Sequence, residues 1–312
     1  MRKSYKFLRY LPDPETAITA ALAIAAFALL ALLTVTVFLV FQIVSPPRSG
    51  ADLSIESLLG NPSAVEYTVP GVGRREGWFF PGLRNAPTII LCHGYRSNRG
   101  EILTLASALQ ENKYNVFLID FSGHGKSDGR STLGYKERKE ILAALNAVAE
   151  RDDVDNTRFG IWGVDMGAYA ALATAIADKR VVAVALDSVY SYPGEMFQFQ
   201  LDKSGLSNLP FVRKFSRLGF WLYTLGQHSD VDLSAGIGGL TNTAKLFFQP
   251  RDDRSLAEAT AALYAKAPEP RQLVVNERSN YAAMLDEERR EYDRQLISFF
   301  LQHLSPMPRR NP

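Results

Sequence analysis

The 312-residue sequence contains a single cysteine, Cys92, so no intrachain disulfide can form and no cysteine-rich zinc site exists. Histidine is scarce too, with only His93, His124, His228 and His303. Any chemistry that needs an imidazole therefore has four candidates. Net charge is close to zero, at +2 from 35 basic and 33 acidic residues. A chain that neutralises a phosphate backbone carries a marked basic excess, so no nucleic-acid partner is expected. Internal repeats and low-complexity tracts are missing, and a 46% hydrophobic content is that of a globular chain. Neither a metal nor a cofactor is expected.

One stretch lacks charge altogether. From Thr16 to Pro47 there is no Asp, Glu, Lys or Arg, and Thr16–Val44 is apolar almost throughout. Crossing a bilayer takes about 20 apolar residues, which this run exceeds. A cleaved signal peptide has a shorter apolar region, about 7–15 residues, ending at a small-residue site. The pattern predicts an uncleaved transmembrane helix over residues 17–44, after a tail of residues 1–16. Arg2, Lys3, Lys6 and Arg9 precede it, with Asp13 and Glu15 as the only acids, and just Arg48 lies between it and Asp52. The positive-inside rule then puts the N-terminus in the cytoplasm and the large domain outside, with the bilayer as partner through residues 17–44. Removing those four bases and two acids leaves 31 of each sign, so the rest of the chain is neutral.

Residues 45–63 form a spacer that opens with Ser45-Pro46-Pro47. Residues 64–306 then alternate short apolar runs with longer amphipathic ones. Strands are expected at 64–69, 77–80, 88–92, 115–119, 158–162, 181–186, 245–249 and 273–275. Helices are expected at 100–112, 134–151, 166–178, 256–266 and 285–304. This alternation implies an α/β fold, a mostly parallel sheet with helices on both faces. The aromatic-rich segment 190–235 breaks the rhythm and reads as a helical cap insertion over one end of the sheet. Within it, residues 209–226 mix Arg213, Lys214 and Arg217 with large apolar side chains; the pattern suits a packed cap helix or a membrane-surface helix.

In open parallel sheets, ligands bind beyond the carboxyl ends of the strands. Three such ends carry distinctive sequences: Cys92-His93-Gly94-Tyr95, then Asp120-Phe121-Ser122-Gly123-His124-Gly125-Lys126-Ser127, then Gly163-Val164-Asp165-Met166-Gly167. In that order and context they resemble the α/β-hydrolase superfamily, in particular its membrane-anchored serine hydrolases and peptidases. The resemblance covers residues 64–304. It implies a nucleophile elbow at Gly163–Gly167, an oxyanion hole from the backbone amides of Tyr95 and Met166, and an acid at Asp253, beside Asp252. It also implies a histidine in the loop after the last strand, within residues 275–281.

The sequence departs from that pattern twice. The nucleophile position holds Asp165 in place of serine, and the histidine position holds Ser279 or Asn280, with no histidine between His228 and His303. A degenerate triad implies a weakly active or non-catalytic protein with a binding or scaffold role, its cleft open to a small-molecule or peptide ligand. The alternative is an active hydrolase of esters, epoxides or alkyl halides. Asp165 would then be the nucleophile, as in haloalkane dehalogenases and epoxide hydrolases, and the cap would supply a base, with His228 as the candidate. A third reading is a structural membrane protein whose pocket takes no ligand. Aspartate also suits a strained elbow at a helix N-terminus, where its carboxylate can fill the oxyanion hole as a built-in anion.

Overall fold

A computed structural model describes residues 13–48, 55, 60–227 and 232–307. The basic tail residues and His228 lie outside the described residues. The first helix, α1 (Pro14–Val44), is long and apolar enough to cross a membrane. Asp13 caps its first turn by accepting from the Thr16 amide at 2.9 Å, and Pro14 starts it, where no amide hydrogen is needed. At 1.5 Å per residue, 31 residues extend about 46 Å, well beyond the roughly 30 Å of a hydrocarbon core. The surplus lies at the C-terminal end. Thr36, Leu39, Val40, Ile43 and Val44 are buried against the domain, whereas Ile18, Leu22, Phe27 and Leu30 are exposed.

The sheet has eight strands: β1 (Ser63–Val69), β2 (Gly73–Phe80), β3 (Ala86–Cys92), β4 (Asn115–Ile119), β5 (Val154–Val164), β6 (Val181–Asp187), β7 (Ala244–Pro250) and β8 (Arg271–Asn276). Their spatial order is β1-β2-β4-β3-β5-β6-β7-β8. The β1–β2 and β2–β4 pairs are antiparallel and the rest are parallel. β3 and β4 are buried at every position, as continuous apolar runs in the middle of a doubly covered sheet require. The sequence anticipates the strands well but undersizes several, β2, β5 and β8 most of all. β2 begins at Gly73 because Arg74, Arg75 and Glu76, polar though they are, pair with β1. β5 begins at Val154, which pairs with Ala86 of β3, and Asp155–Arg158 carry the strand into its apolar part.

Helices cover both faces. α2 (Leu103–Glu111) and α9 (Asp286–His303) bury Leu105, Leu109, Leu296 and Phe299 on one face. On the other face, α3 (Tyr135–Ala149), α4 (Met166–Ala177) and α8 (Arg254–Lys266) bury Leu145, Leu172 and Leu263. Between β6 and β7 the chain forms α5 (Pro193–Lys203), α6 (Pro210–Tyr223) and the short α7 (Leu233–Gly236). Phe197 of α5 stacks on Phe220 of α6 at 4.5 Å between ring centroids. This is the α/β-hydrolase fold, with one N-terminal apolar helix added.

Candidate active site at the carboxyl ends of the strands

β5 ends at Val164 and α4 starts at Met166, so Asp165 must turn the chain through one residue. It does so at φ 41° and ψ −101°, a left-handed conformation that costs a non-glycine residue about 1–3 kcal/mol. Close packing enforces the turn. A Cβ on Gly163 would stand 2.4 Å from the Gly167 carbonyl, and one on Gly167 would stand 2.4 Å from the Cys92 carbonyl oxygen. Both glycines are thus required by the approach of β3, β5 and α4. The Asp165 amide donates to the Asp187 carbonyl at 2.8 Å, tying the elbow to the end of β6.

The turn presents the Asp165 carboxyl to two backbone donors. Its Oδ1 accepts from the Tyr95 amide at 2.8 Å and also from the Met166 amide, at the first turn of α4. Oδ2 lies toward Gly94. Burial of the carboxyl pushes its pKa up to about 6; the two amides and Lys203 act in the opposite sense, and Asp253 adds to the rise. Asp187, fully buried at the end of β6, is pushed up to about 7 by burial, with Asp165 adding to the rise. Its Oδ1 accepts from the Ser188 hydroxyl at 2.7 Å. Two carboxyls that resist ionisation therefore adjoin at the elbow.

Tyr95 has a second role. Its hydroxyl donates to the Ile43 carbonyl at 2.8 Å, and the Ser131 amide donates to the Val44 carbonyl at 2.9 Å. The last carbonyls of a helix have no intrahelical partner, so these bonds fasten the end of α1 to the site. Ser131 is held from below by Glu137, whose buried carboxylate accepts from the Ser131 hydroxyl and from the Thr132 and Gly134 amides. The Ser131 hydroxyl also touches the Met166 sulfur at 3.1 Å.

The residues expected opposite the elbow are arranged differently from the sequence match. Ser279 meets Asp252: its amide donates to Asp252 Oδ1 at 2.9 Å, and its hydroxyl to Oδ2 at 3.3 Å. Asp253, matched to the triad acid from the sequence, does not face Ser279. It caps α8 by accepting from the Leu256 amide at 3.1 Å, which turns its carboxylate toward α5, where Lys203 Nζ lies 2.9 Å away. Lys203 and the amide of Leu256 hold Asp253 below the usual carboxylate range against the effect of burial. Lys203 is the site residue that sequence reasoning missed. It sits at the end of a cap helix, and nothing in its local sequence marks it.

His93 and His124 are committed to the scaffold. His93 Nδ1 lies 2.8 Å from the Gly94 carbonyl, and its Nε2 accepts from the Phe121 amide at 3.1 Å. That pairing requires a neutral ring with the proton on Nδ1, and burial lowers its pKa to about 4. His124, lowered to about 4 by burial, lies against His93 and points Nδ1 at the Ser122 carbonyl. His303 stands at the end of α9 against Phe299, far along the chain from the strand ends. Cys92 is fully buried in β3, and burial raises its thiol well above the ordinary value. Among the described residues no cluster of His, Cys, Asp and Glu could hold a metal ion.

With this geometry in place, the comparisons with known proteins agree on the fold. The α/β-hydrolase fold family model matches residues 87–211. The chain is 27% identical to the protein YfhR of Escherichia coli O157:H7 over 254 residues, covering 78% of this chain and 82% of that protein. It is 32% identical to the polyketide transferase grgF of Penicillium sp over 125 residues, covering 39% of this chain and 42% of that protein. The Pyrococcus furiosus esterase Pf2001 superposes with a TM-score of 0.64 at 23% identity, covering 84% of this chain and all of that one. The chain thus has the α/β-hydrolase fold, and proteins named as an esterase and a thiohydrolase are among those it is similar to.

Proposed function

We propose that this is a membrane-anchored α/β-hydrolase-fold protein in which Asp165 closes the oxyanion hole with its own carboxylate. It serves as a binding or scaffold protein without acyl-transfer catalysis. The observation that carries this reading is the position of Asp165 Oδ1, which accepts from the Tyr95 and Met166 amides together. Acyl transfer needs those two donors free for the oxyanion of a tetrahedral intermediate. Here a permanent acceptor holds them, and its negative charge opposes any second anion beside it.

The facing loops support the same reading. A triad acid works by orienting an imidazole, and Asp252 meets a serine instead. An Asp165 ester, if one formed, would need a base to activate water. The cationic group that the described part of the cap brings near is Lys203, which is paired to Asp253. α1 is read as an uncleaved anchor with the N-terminus in the cytoplasm and the domain outside. On this reading its ligand is a small molecule or peptide.

The test is to rebuild the ancestral arrangement. Asp165→Ser combined with Ser279→His frees both amides and places an imidazole beside Asp252. Relatives named as an esterase and a thiohydrolase make short-chain esters and thioesters the substrates to assay. Hydrolysis by the double variant and none by the wild type supports the proposal; equal hydrolysis by both overturns it.

A further inference from the structure

We infer that α6 is a second membrane element, lying in the plane of an anionic lipid surface beside the end of α1. This rests on the reading of α1 as a membrane span.

The position of α6 along α1 comes first. α6 packs on the C-terminal turns of α1: Gly219 is the point of closest approach, where an added Cβ would stand 3.1 Å from Val40 and 3.4 Å from Thr36. On the side away from the domain, apolar side chains of α1 are exposed from Ile18 to Phe41. At 1.5 Å per residue a hydrocarbon core of about 30 Å takes about 20 residues, so counted from Ile18 it ends among the turns of α1 that meet α6. The lipid–water boundary therefore falls where α6 crosses α1, whichever way the chain is oriented.

The chemistry of α6 then matches that level. Val212, Ser216 and Phe220 are its buried face. On another face, Phe211, Phe215, Leu218 and Leu222 recur at intervals of four and three residues and are all exposed, Phe211 at 71%, and Leu225 in the turn after the helix is exposed too. None of the described residues covers them, and an exposed apolar stripe of this length marks an interaction surface. The exposed Arg213, Lys214 and Arg217 flank the stripe on one side. An apolar stripe with a basic flank is the composition of a helix lying in an anionic lipid interface. Finally, α1 and α6 enclose between them an apolar groove of about 360 Å³, lined by Leu33, Val37 and Phe41 on one side and Phe215, Leu218 and Leu222 on the other. The groove is continuous with the lipid-facing surface of α1, so an acyl chain is its natural occupant.

Trp221 reports on this directly. It is half exposed on α6, whereas Trp78 and Trp162 are buried in the sheet. The full chain is reconstituted in nanodiscs of phosphatidylcholine and phosphatidylglycerol, with and without brominated acyl chains. The inference predicts blue-shifted Trp emission that brominated chains quench, and loss of the quenched component in Trp221→Phe. It further predicts that Arg213→Glu, Lys214→Glu and Arg217→Glu together abolish the dependence of quenching on phosphatidylglycerol. A chain that stays membrane-embedded but is not quenched by brominated lipid overturns the placement of α6 alone. So does a Trp221 shielded from iodide yet unquenched by lipid, which would mean that another protein covers the stripe. A chain stripped from the membrane by carbonate overturns the anchor and the placement of α6 together.

Discussion

The elbow and the loop that faces it have left the hydrolase pattern by different routes. At the elbow everything that shapes the turn is retained: Gly163 and Gly167 still permit the close approach, and the two amides still converge. A single side chain, Asp165, occupies the place where an oxyanion would be held. In the facing loop Asp252, exposed, is bonded to Ser279, and Asp253 is paired to Lys203; no described histidine meets either. One half of the site is closed by an added group and the other half is open for lack of one. On the proposed reading, a tightly packed turn changes its use with no change of backbone, because Asp165 takes donors the fold has already aimed.

The largest expected effect separates the two neighbouring acids. In the Asp165→Ser, Ser279→His background, adding Asp252→Asn should remove most of the regained ester hydrolysis, on the order of 10²-fold or more, whereas Asp253→Asn should leave most of it. Steady-state rates of the two triple variants decide this, and the opposite ranking would return Asp253 to the acid role.

The next effect is on stability and concerns the elbow alone. The folded protein keeps the Asp165 proton to about pH 6, and the unfolded chain releases it near the ordinary value of 3.8. The folded state binds more protons between those values, so stability falls as pH rises through that window. Asp165→Asn keeps an oxygen acceptor for both amides and removes the charge. It should match wild type below about pH 4 and exceed it by on the order of 2 kcal/mol above about pH 6. Thermal unfolding in detergent across that range checks it; a constant difference would separate the effect from ionisation.

Smaller effects test how the surroundings are coupled to the elbow. Tyr95→Phe removes the hydroxyl bond to Ile43 but not the amide bond to Asp165, and should cost about 1 kcal/mol while leaving the pH window in place. The smallest is Lys203→Ala. The lysine side chain is 56% exposed, so losing its pair with Asp253 should change stability by about 0.5 kcal/mol or less. The Asp165 titration should nevertheless move upward, since Lys203 favours the ionised form. Carboxyl chemical shifts of Asp165 followed by NMR would register that movement.

Much of this architecture is legible in the chain. The apolar runs mark the strands because a doubly covered sheet buries both faces, and the glycines around Asp165 mark the elbow because no larger residue fits there. The pairing of Asp252 with Ser279 is not legible, because adjacent aspartates differ only in which one caps α8, and that is fixed by the helix start. Lys203 is hidden because the cap has no strand–helix periodicity to place it. Hydropathy likewise cannot tell the exposed side chains of α1 from Leu39, Val40, Ile43 and Val44, which are spent on the domain. The base expected at His228 lies outside the described residues.

On the proposed reading Asp165 is an acceptor for the Tyr95 and Met166 amides and not a nucleophile. This is tested most directly by intact mass. Wild-type protein is incubated separately with a short-chain p-nitrophenyl ester, an aryl epoxide and an alkyl bromide, and then weighed. The account predicts the unmodified mass in all three. A covalent adduct that maps to Asp165 and disappears in Asp165→Asn would contradict it.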